Sequence, residues 1–306
     1  MNRYIILLLI VMCFAALLPV AAEDSKSGAV TLQRFTGARA AGMGEAFSTV
    51  SDDISVWQYN PAMLGTLSQP QAQAFVSRGF ASDYLSALSI GYPTSFGNFL
   101  ADVNYYDTGS EKLDASDGSV VNVHLQRDLL GAISYGKKFG ILGLGASAKY
   151  LSSELAEYIT ASGYVFDIGG VLIFDSAGIS LGASLRNIGQ GLKFISERDS
   201  LPRELRMGVS YAFKLGEDNS KMLLSADVPY MIVDKKIEAN LGAEWPISKG
   251  FSIRAGEHFN SDIQSFTFGF GLKTKTILFD YSFGAAGPLD NIHNVSISYR
   301  WGQIHD

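Results

Sequence analysis

Residues 265–283 read SFTFGFGLKTKTILFDYSF, and they contain two runs in which apolar side chains alternate with small or polar ones. The apolar positions are Phe266, Phe268, Phe270 and Leu272 in the first run and Ile277, Phe279, Tyr281 and Phe283 in the second, where Leu278 breaks the pattern. Alternate side chains of a β-strand lie on opposite faces. Each run therefore predicts a strand with one apolar face and one small or polar face.

The same alternation recurs along the chain from about residue 71 onward. It predicts about fourteen strands, at 71–78, 84–92, 97–106, 121–135, 141–151, 164–174, 179–187, 204–213, 221–228, 236–245, 250–257, 265–272, 276–283 and 293–301. Turn-forming clusters such as Ser176-Ala177-Gly178 separate the strands, and no long helical pattern lies between them. The order of elements predicts an antiparallel meander rather than βαβ units.

Charged side chains recur in the middle of these strands, mostly on the face opposite the apolar one. The charges expected to face a barrel lumen are Arg206, Asp227, Glu244, Arg254 and Asp280. A soluble β-sandwich also alternates, with its apolar face turned inward, so alternation by itself leaves that architecture open. The number of strands and the recurring mid-strand charges favour a transmembrane β-barrel of about 14 strands, with its apolar face on lipid.

The end of the chain also favours a membrane barrel. Val295, Ile297, Tyr299 and Trp301 alternate with polar residues, and only Gly302–Asp306 follow them. This pattern looks like the aromatic-ended last strand by which bacterial barrels are presented to the barrel-assembly machinery. Aromatic residues near strand ends are candidates for the girdles that contact outer-membrane lipid: Tyr84, Tyr92, Tyr105, Trp245, Tyr281 and Trp301.

The start of the chain predicts export. A basic Arg3 precedes an apolar run from Ile5 to Val20, and Ala21-Ala22 completes a small-residue cleavage pattern. Residues 1–22 are therefore predicted to be a signal peptide that is cut before Glu23. A membrane anchor is disfavoured because the run has roughly 16 residues, against the ~20 that a spanning helix needs. An exported chain with no later apolar run of that length can enter a membrane only as a closed barrel, here the outer membrane of a Gram-negative-type bacterium.

Composition excludes several classes of function. The only cysteine, Cys13, lies in the predicted signal peptide, so disulfides, thiolate metal sites and cysteine nucleophiles are excluded from the mature chain. Loss of residues 1–22 moves the formal net charge from −6 to −7, and an acidic chain lacks the excess of positive charge that nucleic-acid binding requires. The four histidines show no metal-binding spacing and no local Ser–His arrangement stands out, so we expect no cofactor, no metal and no enzymatic activity.

Residues 23–70, the N-terminal segment, lack the alternation of residues 71–306. Gly37, Gly42 and Gly44 punctuate a run of small residues and would let the backbone pass close to a wall. A short helix is predicted over Pro61–Leu67, because Asn60 is a good N-cap and proline is favoured at the first helical position. The segment also carries the large apolar side chains of Met43, Phe47, Val50, Ile54, Trp57 and Tyr59, which a flexible leader would not. We therefore predict a hatch folded inside the barrel.

The N-terminal segment and several later stretches of the chain resemble a known family. Gly-Ala-Arg-Ala-Ala-Gly-Met-Gly at 37–44, Asp52-Asp53 and Tyr59-Asn60-Pro61-Ala62 are similar to the N-terminal signature of the PorV/PorQ-type outer-membrane proteins, a branch of the FadL-like barrels. The similarity continues through 187–189, 201–208, 241–244, 254–256, 268–272, 280–281 and 293–301. It implies a 14-stranded barrel with the N-terminus as a hatch. The chain departs from the pattern at Glu45, where a small residue is usual, and at Met63, where glycine often stands.

The resemblance assigns the hatch motif to Gly37, Arg39, Gly42, Met43, Gly44, Asp52, Asp53, Tyr59, Asn60, Pro61 and Ala62. It implies two classes of function. Type IX secretion-linked members imply an accessory barrel for secreted protein cargo, whereas the wider FadL-like group implies a passive channel for hydrophobic small molecules. A purely structural barrel is a third alternative.

Loop chemistry should separate the first two classes. Long, ordered extracellular loops would favour cargo, and an apolar pocket leading to a side gap in the wall would favour solutes. The longest predicted connections are Tyr106–Val120 and Leu192–Leu201, and neither is very long.

Two arginines of the N-terminal segment are candidate latches. Arg34 and Arg39 could form charge-assisted hydrogen bonds with lumen carboxylates of the barrel, namely Glu244, Asp227 and Asp280. Ordinary solvated charges are the alternative for both arginines.

Overall fold

The computed structural model describes residues 27–79, 83–114, 120–196, 198–214, 221–261, 265–285 and 291–302. The predicted signal peptide, residues 1–22, and its cysteine lie outside the described residues.

Nineteen strands lie in the described part of the chain. They are β1 (Gln71–Arg78), β2 (Tyr84–Thr94), β3 (Gly97–Asp107), β4 (Ser110–Asp114), β5 (Val120–His124), β6 (Gln126–Phe139), β7 (Leu142–Leu155), β8 (Ile159–Phe174), β9 (Ile179–Gly189), β10 (Leu192–Lys193), β11 (Arg198–Asp199), β12 (Glu204–Lys214), β13 (Lys221–Met231), β14 (Lys236–Ile237), β15 (Ala239–Ser248), β16 (Phe251–Phe259), β17 (Phe266–Lys273), β18 (Ile277–Gly284) and β19 (Ile292–Arg300). Fourteen of them form the wall: β1–β3, β6–β9, β12, β13 and β15–β19.

The wall is a closed ring. Each wall strand pairs antiparallel with both neighbours, and the ring closes where β1 meets β19, with Gln71 opposite Arg300. The fold predicted from the alternation, a closed antiparallel barrel of 14 strands, is confirmed. Because closure pairs the backbone of every wall strand, such a barrel has no open edge.

The two ends of the barrel differ in their connections. Tight turns join β2 to β3, β6 to β7, β15 to β16 and β17 to β18, and β1 begins and β19 ends at this same end. The opposite end carries the longer connections, two of which form the hairpins β4–β5 and β10–β11. Bacterial barrels have short periplasmic turns and longer extracellular loops. We call the two ends the short-turn end and the long-loop end.

The two faces of the wall match the alternation. Outward side chains are exposed and mostly apolar, as at Leu88, Ile133 and Phe268. Inward side chains are largely buried, and many are polar, as at Asp167 and Asp227. The polar face therefore packs against other parts of the protein, whereas the apolar face is turned outward as a lipid environment requires.

The N-terminal segment contains four short helices: 3₁₀ turns at Val30–Gln33, Ile54–Gln58 and Pro61–Thr66, and an α-helical turn at Ala38–Gly42. The predicted helix after Asn60 is therefore a 3₁₀ helix, one residue shorter than expected, and Asn60 Oδ1 accepts from Ala62 N at 3.1 Å. No helix within the described ranges is both long and apolar enough to span a membrane.

Two predicted strands are interrupted. The strand predicted at 121–135 divides at Leu125, because β5 pairs with β4 in a hairpin while β6 pairs with the wall strands β3 and β7. The strand predicted at 236–245 divides at Glu238, which lies across the ladder from Pro229. Proline has no N–H to donate, so the ladder is interrupted there.

Candidate functional site

The N-terminal segment contacts the inward face of the barrel through its backbone. Hydroxyl groups of wall strands form five of these hydrogen bonds: Ala38 N to Ser296 Oγ (2.8 Å), Gly44 N to Thr267 Oγ1 (3.0 Å), Ser225 Oγ to Ala46 O (2.6 Å), Ser210 Oγ to Thr49 O (3.0 Å) and Ser184 Oγ to Tyr59 O (2.7 Å). Sequence reasoning missed these serines and the threonine. The feature of the sequence that could have indicated them is a small hydroxyl side chain at the inward positions of the alternating runs.

Asp227 on β13 binds two consecutive backbone amides of the segment. Its Oδ2 accepts from Phe47 N (3.1 Å) and Ser48 N (3.0 Å), and its Oδ1 accepts from Ser48 Oγ (2.8 Å). Arg206 lies 3.3 Å from Asp227 Oδ2 and donates to Glu45 O at 3.0 Å. These two predicted lumen charges therefore fix the turn that follows Gly44.

Arg39 forms the main charged contact between the segment and the wall. Its guanidinium makes two hydrogen bonds to Glu244 on β15, both at 2.8 Å, and one to Asp53 at 3.2 Å. Burial opposes the charge of Arg39, but Glu244 and Asp53 outweigh it and hold its pKa well above the usual value. Arg39 is thus a buried, paired cation rather than a solvated one.

The other predicted latch partners are engaged elsewhere. Glu244 also accepts from Arg254 Nε at 2.6 Å, and Arg254 bonds Asp280 at 2.8 Å, so Asp280 joins the Arg39 network indirectly. Arg34 pairs instead with Asp83 at the long-loop end, at 3.0 Å.

Two close backbone approaches depend on glycine. A Cβ on Gly256 of β16 would lie 2.1 Å from Gly44 N, and Gly44 itself has a φ of +59°. A Cβ on Gly145 of β7 would lie 2.3 Å from the carbonyl carbon of Pro61. Any larger residue at these wall positions would push the segment away. The wall therefore has glycine where the backbone of the segment comes closest, near Gly44 and near Pro61.

The remaining motif residues lie within the segment or at its exit. Met43, Tyr59 and Ala62 belong to its buried core, and Gly37 has a φ of +115°. Gly42 packs against Gly269, and Asp53 caps the turn that begins at Ile54. Asp52 accepts from Ser68 and from Arg300 Nη1, the latter at 2.8 Å. Whether this packed segment acts as a hatch stays a prediction.

Glu45, the departure from the family pattern, is half-buried and has a φ of +56°. Burial raises the pKa of its carboxyl to about 7; Arg206 opposes this shift, while Glu238 and Glu204 reinforce it. A protonated Glu45 is therefore favoured by the packed arrangement.

One sector of the wall has few hydrogen bonds to the segment. Among the described residues, no hydrogen bond joins residues 27–68 to β1 or β2, and those to β3 come only from Asn98, which donates to Leu64 O and Leu67 O. Strands β9, β12, β13, β15, β17 and β19 are among those with such bonds. In the described ranges β7, β16 and β18 also have none, but each lies between two bonded strands, whereas β1 and β2 are neighbours. We call β1, β2 and β3 the untied sector.

An apolar groove of about 410 Å³ lies on the outer face of the untied sector. Its floor is made by small outward residues, Ala72, Ala74 and Ala101, and its rim by Leu88, Ile90, Val103, Ile297 and Tyr299. Gln73, Ser89 and Asp102, which alternate with these outward residues, also line it. The groove therefore lies over strands that have few hydrogen bonds to the segment.

The residues of the predicted assembly signal lie on or next to the last strand. Ile297 and Tyr299 face outward and are about half exposed, and Val295 is half-buried on the same face. Trp301 follows the strand and stacks on Tyr299 with ring centroids 5.7 Å apart. Their role in assembly stays a prediction.

Solved structures share this architecture. The deltaS2 mutant of TodX, a monoaromatic hydrocarbon channel, superposes with a TM-score of 0.61 over 87% of this chain and 99% of its own, at 14% identity. The P. putida toluene transporter TodX gives 0.58 over 86% and 98%, at 12% identity, and a Pseudomonas aeruginosa FadL homologue gives 0.54 over 88% and 99%, at 11% identity. The fold is that of the FadL-type outer-membrane barrels. At such identities the likeness establishes the fold alone.

Sequence comparisons add little. No family model matches the chain. A UPF0164 protein of Treponema pallidum (strain Nichols) is 27% identical over 122 residues, which are 37% of this chain and 30% of that protein. The match thus spans under a third of that relative, and the narrower PorV/PorQ resemblance stays a prediction.

Proposed function

We propose that this protein is a passive outer-membrane channel for hydrophobic small molecules, with the N-terminal segment as its hatch. The observation that carries the proposal is the apolar groove over the untied sector. Lateral uptake of apolar solutes requires an apolar pocket in the side wall of the barrel, and this groove is such a pocket. Its lining also includes inward-facing residues. The FadL-type fold supports the same class, since TodX is described as a toluene transporter.

The distribution of contacts suggests how solutes pass. The segment is bonded to the far wall by charged groups such as Asp227 and Glu244, and breaking buried charge pairs is costly. Along the untied sector, the charged contact of the segment in the described ranges is the pair Arg34–Asp83 at the long-loop end. Inward apolar side chains line that route above the groove: Phe75, Leu85, Ala87 and Tyr106. Release of Arg34 from Asp83, with a small displacement of the segment on this side, would open a path between the segment and the wall.

Filling the groove tests the proposal. Ala74→Trp places a large ring on the groove floor, whereas Ala148→Trp places the same ring on the outward face of β7, away from the groove. The readout is uptake of radiolabelled toluene by cells that carry the protein in an intact outer membrane. Ala74→Trp should lower uptake, and Ala148→Trp should leave it unchanged. Equal uptake by both variants, at equal folded protein levels, would contradict the proposal.

A second function, as accessory barrel for secreted protein, is favoured by the long-loop end. Two ordered hairpins stand there, β4–β5 and β10–β11, and apolar side chains are exposed at Tyr158 (86%) and Ile195 (76%). The β10–β11 hairpin exposes Ile195 and the β7–β8 turn exposes Tyr158, and such exposed apolar side chains suit a protein partner. In the native bacterium, deletion of residues 110–124 should lower surface attachment of secreted proteins if this function holds. Unchanged attachment, with the barrel folded, would remove this candidate.

A further inference from the structure

The inward face of the untied sector carries polar oxygens without partners. Asp102 is 2% exposed, and Ser89 Oγ is its one hydrogen-bond partner among the described residues, at 2.6 Å. Asp102 Oδ1, Asn104 Oδ1 and Gln73 Oε1 are buried and have no partner within the described ranges. Buried polar groups are normally hydrogen-bonded, so three orphaned acceptors in one place require an explanation.

The strand register brings these groups together. Gln73 lies opposite Ser89, and Ser89 opposite Asp102, across β1, β2 and β3. Asn104 follows Asp102 by two residues and therefore lies on the same face. Directly opposed residues of antiparallel strands are about 4.5–5.5 Å apart at their Cα atoms. The result is a compact patch of unpartnered acceptors, beside which Gln73 Nε2 donates to Ser298 Oγ at 3.0 Å and the Asn104 amide carries N–H donors of its own.

Other buried carboxylates of the inward face are paired with cations. Asp167 has Lys149 at 2.8 Å, Glu204 has Arg206 at 2.7 Å, and Asp280 has Arg254 at 2.8 Å. Asp128 is the exception: it has no cation within the described part of the chain but is hydrogen-bonded to Thr31 and Gln126. Asp102 has neither a cation nor a second donor in the described chain. Its charge is compensated either by a proton or by donors that something else supplies.

Apolar side chains adjoin this patch on the long-loop side. Phe75 lies opposite Ala87, and Ala87 opposite Asn104, so the apolar and polar groups share one row of the ladder. Leu85 and Tyr106 complete the same apolar cluster. A ligand here would meet acceptors at one end and hydrocarbon at the other.

We propose that the untied sector holds a binding subsite for an organic ammonium ion with an apolar tail. The subsite rests on the proposed channel function and specifies its substrate class. An ammonium group carries three N–H donors and a positive charge, which match the three orphaned oxygens and the carboxylate. A carboxylate-headed solute would be repelled by Asp102. A bare calcium ion seeks six to eight oxygens, more than these side chains supply.

Isothermal titration of the purified, detergent-solubilised full mature chain tests the subsite. The probes are 2-phenylethylammonium, 3-phenylpropionate and calcium chloride. Wild-type protein should bind the ammonium about tenfold more tightly than the carboxylate, which is a difference of about 1.4 kcal/mol. Asp102→Asn should weaken ammonium binding by a similar factor, while Asp175→Asn, the same charge change at an exposed turn residue, should not.

Several results would overturn the subsite. They are equal ammonium affinity in wild type and Asp102→Asn, equal affinity for ammonium and carboxylate, and calcium binding that depends on Asp102 while ammonium binding does not. Asn104→Leu, which removes one acceptor and leaves the carboxylate, keeps the test valid if Asp102→Asn does not fold. It should also weaken ammonium binding.

The two proposals fail separately. Asp102-dependent ammonium binding without toluene uptake would refute the channel and leave a binding site. Normal toluene uptake that Ala74→Trp blocks, without ammonium binding, would refute the subsite and leave the channel.

Discussion

Arg39→Ala should release the N-terminal segment from the barrel wall. The guanidinium makes two 2.8 Å bonds to Glu244 and one 3.2 Å bond to Asp53, and its side chain is 17% exposed. Complete loss of a buried partner costs about 3–5 kcal/mol because the other charge is left unpaired. Here Glu244 keeps Arg254 and Asp53 keeps Ser55, so neither carboxylate is stranded. We expect a cost of about 2 kcal/mol, in the range for charged hydrogen bonds.

Thiol labelling measures that cost. Ala40 is fully buried beside Arg39, and no cysteine lies beyond the predicted signal peptide, so Ala40→Cys introduces a single reporter. A bulky water-soluble maleimide should react with it slowly in intact outer membranes. A loss of 2 kcal/mol raises the population of the released segment, and hence the labelling rate, by about thirtyfold.

The control is Lys138→Ala, which removes an exposed pair with Asp175. Exposed pairs contribute about 0–1 kcal/mol, so labelling at position 40 should stay near the wild-type rate. Fast labelling in the protein that carries only Ala40→Cys would place the segment outside the lumen. Equal rates with and without Arg39 would show that this contact does not hold the segment.

The remaining predictions concern pH, folding and assembly. Burial raises the pKa of Glu45 to about 7, so this one carboxyl does not oppose packing below pH 4.5 and its ionisation weakens packing by at most about 3 kcal/mol as pH rises through 7. Labelling at Ala40→Cys, normalised to free glutathione, should rise from pH 4.5 through 7, and Glu45→Gln should flatten this rise. A flat profile for the native Glu45 would contradict the assignment. Asn60→Ala should cost about 1 kcal/mol through the lost cap, seen as faster hydrogen exchange at Ala62 N. The double substitution Tyr299→Ala and Trp301→Ala should lower the heat-modifiable, folded band far more than synthesis, and an unchanged folded band would exclude an assembly signal there.

Much of the barrel was accessible from the sequence, because alternation depends only on neighbours along one strand. The runs at 204–213 and 265–272 predicted which side chains face outward, and the structure agrees. Local chemistry also sufficed for Asn60 and Pro61, since a cap and a first-turn proline act within a few residues. Alternation failed where a residue on another strand decides the structure. The strand predicted at 236–245 is interrupted by Pro229, which lies on the neighbouring strand β13.

The sequence could not predict which inward carboxylate pairs with which arginine. Glu244, Asp227 and Asp280 were equivalent inward carboxylates in the sequence, yet Arg39 bonds only the first directly. That selection depends on which strands stand next to each other around the ring and on the path of the segment between them. The sequence records neither the ring order in space nor that path.

By itself, then, the sequence determined the fold class, the outward apolar face and the segment that breaks the alternation, because each follows from periodicity and local conformational preference. The tertiary structure decided which inward groups are paired and which are left open. Asp102 and Asp227 are both inward carboxylates at mid-strand, but Asp102 has no hydrogen bond to the segment in the described ranges, whereas Asp227 accepts from two of its backbone amides. The difference arises from packing between residues more than a hundred positions apart, which no local pattern encodes.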